Sequence, residues 1–160
     1  MNTLQLYSLM ECRLAPLTNY YGVLSCDQFK NSRLSFEQHE TAVIIVNSLN
    51  SFNAGQIGHW ILLLKKPFDG FFFHDSLGMG INSYFRSNVV NKFHHGLNNK
   101  QNRRVQGHSD LCGAYCLCFA FYMLVNNYDM DGYFKMFSSN FELNDIKIQD
   151  LFSSMYHACI

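Results

Sequence analysis

Four side chains, far apart in the chain, have the types needed to transfer an acyl group: His59, Asp75, Gln106 and Cys112. Cys112 stands in "VQGHSDLCGAYC" (Val105–Cys116), at the head of the most apolar stretch, Leu111 to Val125. A cysteine attacks as the thiolate, and an unperturbed thiol is mostly protonated at neutral pH. The first turn of a helix offers unpaired N–H groups and roughly half a positive charge, both of which favour the anion. Cys112 occupies such a turn if Ser109 or Asp110 caps the helix. Asp110 would raise the thiol pKa unless capping aims it away. Gly113, next to the cysteine, would leave room for a substrate backbone, whereas Cys116 and Cys118 lie deeper and read as core.

A thiol nucleophile needs a base, and the base a third group that fixes its tautomer. Only His157 follows Cys112, near the end of the sequence, so the base must come earlier. His59 opens the apolar run "WILLL" after a polar loop, and Asp75 closes "FFFHD". Strand alternation puts Phe71, Phe73 and Asp75 on one face, and Phe72 and His74 on the other. Asp75 and His74 are therefore not expected at one site. A hairpin in register would bring Asp75 to His59, with the carboxylate accepting the Nδ1–H. Negative charge on a tetrahedral intermediate needs preorganised donors. The Gln106 amide and the Cys112 backbone N–H could supply them if "GHSDL" loops back.

These residues need elements to carry them. "TLQLYSLMECRL" has Leu4, Leu6, Leu9, Met10 and Leu14 near helical spacing, and Ala15-Pro16 ends it. "YYGVLSC" reads as a short strand, "TAVIIVNS" (Thr41–Ser48) as a buried one, and "HWILLLKK" and "FFFHD" as a hairpin around "PFDG". "INSYFRSNVVNKFHHGL" predicts a helix with Tyr84, Phe85, Val89 and Phe93 inward, and "RVQG" one more short strand. Helices follow from about Cys112 to Asn126, Gly132 to Phe137 and Asn144 to Tyr156. The order is that of an α+β domain spanning 1–160, a small sheet packed on a central apolar helix.

Composition sets bounds. The 160 residues are 48% hydrophobic and 16% aromatic, a globular balance that argues against disorder. Formal net charge is +0, so no global field draws the chain to nucleic acid or a membrane. Acids are absent between Asp75 and Asp110, where Arg86, Lys92, Lys100, Arg103 and Arg104 fall with His94, His95 and His108. That basic segment reads as a solvated face, or as a polyanion patch. The sequence begins without a signal-peptide pattern, and its six cysteines sit in apolar surroundings, so reduced thiols and an intracellular setting are expected. The run Leu111–Val125 is too short to span a membrane.

The ordered set "GHW", "HDSLG", "VQG" and "LCGAYC" resembles the adenovirus-type maturation protease family (adenain), cysteine peptidases related to the SUMO- and ubiquitin-like-protein proteases. "YYGVLSCDQF" and "AVIIVNS" resemble that family's earlier segments in the same order, so the likeness runs from about Tyr20 to Tyr122. It implies a papain-like cysteine peptidase architecture in permuted His-Asp-Gln-Cys order. The roles it implies are base for His59, orienting acid for Asp75, oxyanion-hole donor for Gln106, nucleophile for Cys112 and a groove-lining position for Trp60. Gly-containing cleavage sites, viral capsid or core precursors as substrates, and residence in the virion and host cell interior are likewise implied. No cofactor is required, although an activating peptide or DNA is compatible with the family. Asp75 stands where adenovirus enzymes carry Glu, and the Gln-to-Cys interval is one residue shorter, as in the SUMO-protease branch. "HHGLNNKQNRRVQG" holds no cysteine, so disulfide activation at the adenovirus position is not expected. A virophage or Polinton-type element would fit these differences.

Three other readings compete. One is an isopeptidase that removes ubiquitin-like tags from host proteins. Another is a zinc module of His108, Cys112, Cys116 and Cys118, disfavoured because Cys118 points about 120° away from Cys112 round the helix. The third is a non-catalytic scaffold on a peptidase fold.

Overall fold

Residues 1–51, 56, 58–93, 97–98 and 102–159 are described in a computed structural model of the chain. Two continuous apolar runs form its central strands, β2 (Ala42–Asn47) and β3 (Trp60–Lys65), paired antiparallel. β1 (Tyr20–Leu24) lies parallel to β2, β4 (Phe71–His74) antiparallel to β3, and β5 (Leu97–Asn98) parallel to β4. The mixed sheet has the order β1-β2-β3-β4-β5. With helices α1 (Thr3–Arg13), α2 (Cys26–Asn31), α3 (Ser87–Val90), α4 (Cys112–Val125), α5 (Met130–Lys135) and α6 (Phe141–His157), the layout is α+β. The β3–β4 hairpin around "PFDG" forms where the sequence puts it.

β2 and β3 lack polar alternation because both of their faces are covered. Val43, Ile45, Leu62 and Leu64 pack with α4, α1 and α6. Ile44, Val46, Ile61, Leu63 and Phe73 pack with Phe29, Ile81 and Phe85 on the other side. α4 is thus the centre of one layer, while a second, smaller layer of α2 and the 81–90 segment covers the opposite face.

Several sequence expectations shift. The helix expected over 81–97 is broken: a 3-10 turn at Ile81–Ser83, then α3, then a 3-10 turn at Asn91–Phe93, with Leu97 in β5. Extended backbone at Arg86 (ψ 159°) interrupts it, in a segment rich in Ser, Asn and Val that is weakly helical by itself. Ile81, Phe85 and Val89 are still buried, and the side chain of Phe93 lies outside the described residues, as do His94 and His95. "RVQG" forms no strand; instead the Val105 and Gln106 N–H groups both donate to Ser76 O. Leu4 points outward at 78% exposure, while Leu6, Leu9, Met10 and Leu14 form the buried stripe of α1.

The thiol expectation is corrected more sharply. Cys12, at the end of α1, and Cys159, just past α6, form a disulfide across 147 residues; Cys26, Cys112, Cys116 and Cys118 are free and buried. The paired cysteines lie outside the apolar runs, and only packing brings the two segments together. Such a cross-link stabilises mainly by restricting the unfolded chain. Cys12→Ser is expected to cost about 2–4 kcal/mol, read as a lower melting temperature that no longer responds to reductant.

Candidate functional site

His59 immediately precedes β3 and Asp75 immediately follows β4, so hairpin geometry decides whether they meet. Leu62 faces His74 in the ladder; continued outward, Ile61 faces Asp75, and His59 lies two residues further on the same face. Backbone bonds fix the histidine: its N–H donates to Ser48 Oγ (2.9 Å), and its carbonyl accepts from the Ser48 N–H (2.8 Å). Gly58 leaves room beside it for the Asn47 amide, since a Cβ there would fall 2.0 Å from Asn47 Oδ1 and push that side chain aside.

The imidazole reaches Asp75 through Nε2, 2.6 Å from Oδ1. The expected contact at Nδ1 is therefore corrected: approach from the end of β4 presents the far edge of the ring, which leaves Nδ1 as the nitrogen open to sulfur. Burial opposes a charged ring here, but hydrogen bonds to Asp75 and Cys112, with their charges, outweigh it and raise the His59 pKa to about 9. Asp75 is fully buried and accepts three further bonds: from the Leu77 N–H (2.9 Å), the Met79 N–H (3.0 Å) and the Tyr84 hydroxyl (2.7 Å). Burial alone would raise its pKa; the His59, Tyr84 and Leu77 bonds prevail and hold the carboxyl below its ordinary value. His74, one residue earlier, faces the other layer. It stacks on Phe119 at 4.3 Å with both ring nitrogens unpartnered, and burial pushes its pKa down to about 3. His74 and Asp75 thus face opposite layers, as strand alternation requires.

Cys112 is the first residue of α4 and 6% exposed. Neither Ser109 nor Asp110 caps this helix; the N-cap is Leu111, without a side-chain bond. Ser109 is used differently, its carbonyl accepting from Gln106 Nε2 at 2.6 Å. The uncapped turn leaves its N–H groups open to an anion. The space beside Gly113 is also filled otherwise than expected: a Cβ there would lie 3.3 Å from Leu6 Cδ2 and 3.4 Å from Met1 Sδ and Trp60 Cδ1. The missing side chain of Gly113 thus makes room for α1 and Trp60.

His59, Trp60, Gln106 and Cys112 line one cleft of about 1000 Å³, with Asp110 and His108 at its rim. Asp75 stands behind the imidazole. A thiol, an imidazole backed by a carboxylate, and an amide beside an open helix start can together ionise sulfur and bind an oxyanion. Cys116 and Cys118 point elsewhere, to Trp60 O (3.5 Å) and Met155 Sδ (3.9 Å), so they do not join His108 and Cys112 as ligands.

Arg86, Lys92, Arg103 and Arg104 of the basic segment are exposed, and three of them also hold structure. Lys92 Nζ donates to Lys30 O, Arg103 to Phe134 O, and the Arg104 Nε–H to Gln106 O; Lys100 lies outside the described residues. Among the described residues no helix is long and apolar enough to cross a membrane.

Tyr84 is the clearest residue whose site role sequence reasoning missed. It reads as a core aromatic, but a half-buried tyrosine needs a partner for its hydroxyl, and Asp75, nine residues earlier, supplies one. Asn102 Oδ1, which accepts the Asp75 N–H at 3.0 Å, gives no comparable signal in a polar loop. No protein-family model matches this chain, and no match to a curated protein was found.

Proposed function

We propose that the chain is a thiol endopeptidase of papain-like architecture in permuted His-Asp-Gln-Cys order. The observation that carries this reading is the imidazole of His59, tied to Asp75 through Nε2 and interacting with Cys112 in the wall of one cleft. Cys112 attacks the scissile carbonyl as thiolate, forming the C–S bond. Gln106 and the open start of α4 bind the resulting oxyanion. The His59 imidazolium gives its proton to the leaving amine as the C–N bond breaks, leaving a thioester. The neutral ring then takes a proton from water, whose oxygen displaces the sulfur and releases the acid.

The ordered motifs support an adenain-like maturation protease acting on virion precursors at Gly-containing sites, within the virion and host cell interior. Trp60, against Gly113 in the cleft wall, would narrow the groove for small side chains. The test is labelling with a Gly-Gly peptide bearing an electrophilic warhead, read by mass spectrometry. A single adduct on Cys112 is expected, with Cys26, Cys116 and Cys118 unmodified. An adduct on another cysteine overturns the assignment, and faster hydrolysis of a ubiquitin-like conjugate than of a Gly-containing peptide would reassign the substrate.

A further inference from the structure

We propose that Ser76 is a positioning residue whose hydroxyl locks the Gln106 amide, so that one Nε2–H is directed into the cleft beside Cys112. This rests on the peptidase reading above and specifies how its oxyanion donor is held. Gln106 is 3% exposed, and a primary amide has one acceptor end and one end with two donors. Ser109 O can only accept, so the end 2.6 Å from it must be Nε2. The opposite end, Oε1, receives the Ser76 hydroxyl. With both ends engaged the amide cannot flip; its second N–H faces only a long contact, 3.5 Å to Ser109 Oγ, which an oxyanion in the cleft would replace.

Ser76 also holds the backbone of the same residue. Its carbonyl accepts the N–H groups of Val105 (2.9 Å) and Gln106 (3.0 Å). Because Ser76 directly follows Asp75, the turn that orients the imidazole also clamps the oxyanion donor. On the far side, Asp145 of α6 accepts the Gly107 N–H at 3.1 Å and the Tyr115 hydroxyl at 2.9 Å. Gly107 permits this approach, since a Cβ would lie 2.6 Å from Asp145 Oδ2. These tethers do not involve the Ser76 hydroxyl, so Ser76→Ala frees the Oε1 end of the amide while the bond to Ser109 O and the segment's anchors remain.

The test is a double-mutant cycle on cleavage of a Gly-containing peptide, joined to side-chain amide NMR. Gln106→Ala is expected to lower kcat by about 10²–10³. Ser76→Ala should lower it by about tenfold with KM little changed. The double variant should be no slower than Gln106→Ala, because the hydroxyl acts only through the amide. A double variant slower by the product of the two single factors overturns the proposal. The Gln106 NH₂ resonances, identified by their absence in Gln106→Ala, should shift in Ser76→Ala. Unshifted resonances with peptidase activity intact remove the role of Ser76 alone. A wild-type chain that cleaves no peptide removes the peptidase reading itself.

Discussion

Cys112→Ala is expected to reduce peptide cleavage by on the order of 10⁴–10⁶, to background, with the folded state retained. The sulfur begins α4 at the edge of the core, and the first turn keeps Ala114 in the cluster that holds Leu6 and Trp60. Removing one sulfur there leaves the main apolar cluster of α4 in place. His59→Ala should cost nearly as much, since the thiolate loses its counter-ion and the leaving amine its proton donor. Residues that act as one unit give non-additive losses, so the double variant should be about as inactive as either single one. Circular dichroism and melting temperature check the fold. Cleavage surviving Cys112→Ala at more than a trace would move the nucleophile elsewhere.

Sequence reasoning reached the hairpin, and the meeting of His59 with Asp75 across it, for one physical reason: each depends on a short-range pattern. Alternation along "FFFHD" assigns Asp75 and His74 to opposite layers, and the apolar run after Leu111 gives α4 its length. What it missed depends on contacts between distant segments. The Ser76–Gln106 bond spans 30 residues, the Gly107–Asp145 bond 38 and the disulfide 147. The ring nitrogen facing Asp75 is set by the angle at which β4 ends, which no residue type encodes. The missing cap on α4 is similar: Ser109 has the right side chain for an N-cap, but its carbonyl is committed to Gln106. The broken segment 81–93 failed because apolar spacing alone cannot distinguish one helix from short turns that bury the same Ile81, Phe85 and Val89.

Asp75→Asn should lower kcat by about 10⁴ and move the alkaline limb of the pH–rate profile. In the wild type that limb is expected near the His59 pKa of about 9, above which the ring has no proton for the leaving amine. Burial opposes the charged ring, so Asp75 is the main support for so high a value. An amide in its place keeps the shape but removes the charge, and the limb should fall towards the ordinary histidine range. Stability carries the same signature with a definite sign. A His59 pKa raised from 6.5 to about 9 gives stability that is fully present below about pH 6.5 and lost as pH rises through about 9. An Asp75 pKa held below 3.8 gives stability present above pH 3.8 and lost as pH falls through its lowered value. Melting curves should therefore show the alkaline loss through about pH 9 in the wild type, weakened in Asp75→Asn, and an acid loss that sets in only below pH 3.8. An alkaline limb that stays near pH 9 in the variant would show that something other than Asp75 keeps the imidazole charged.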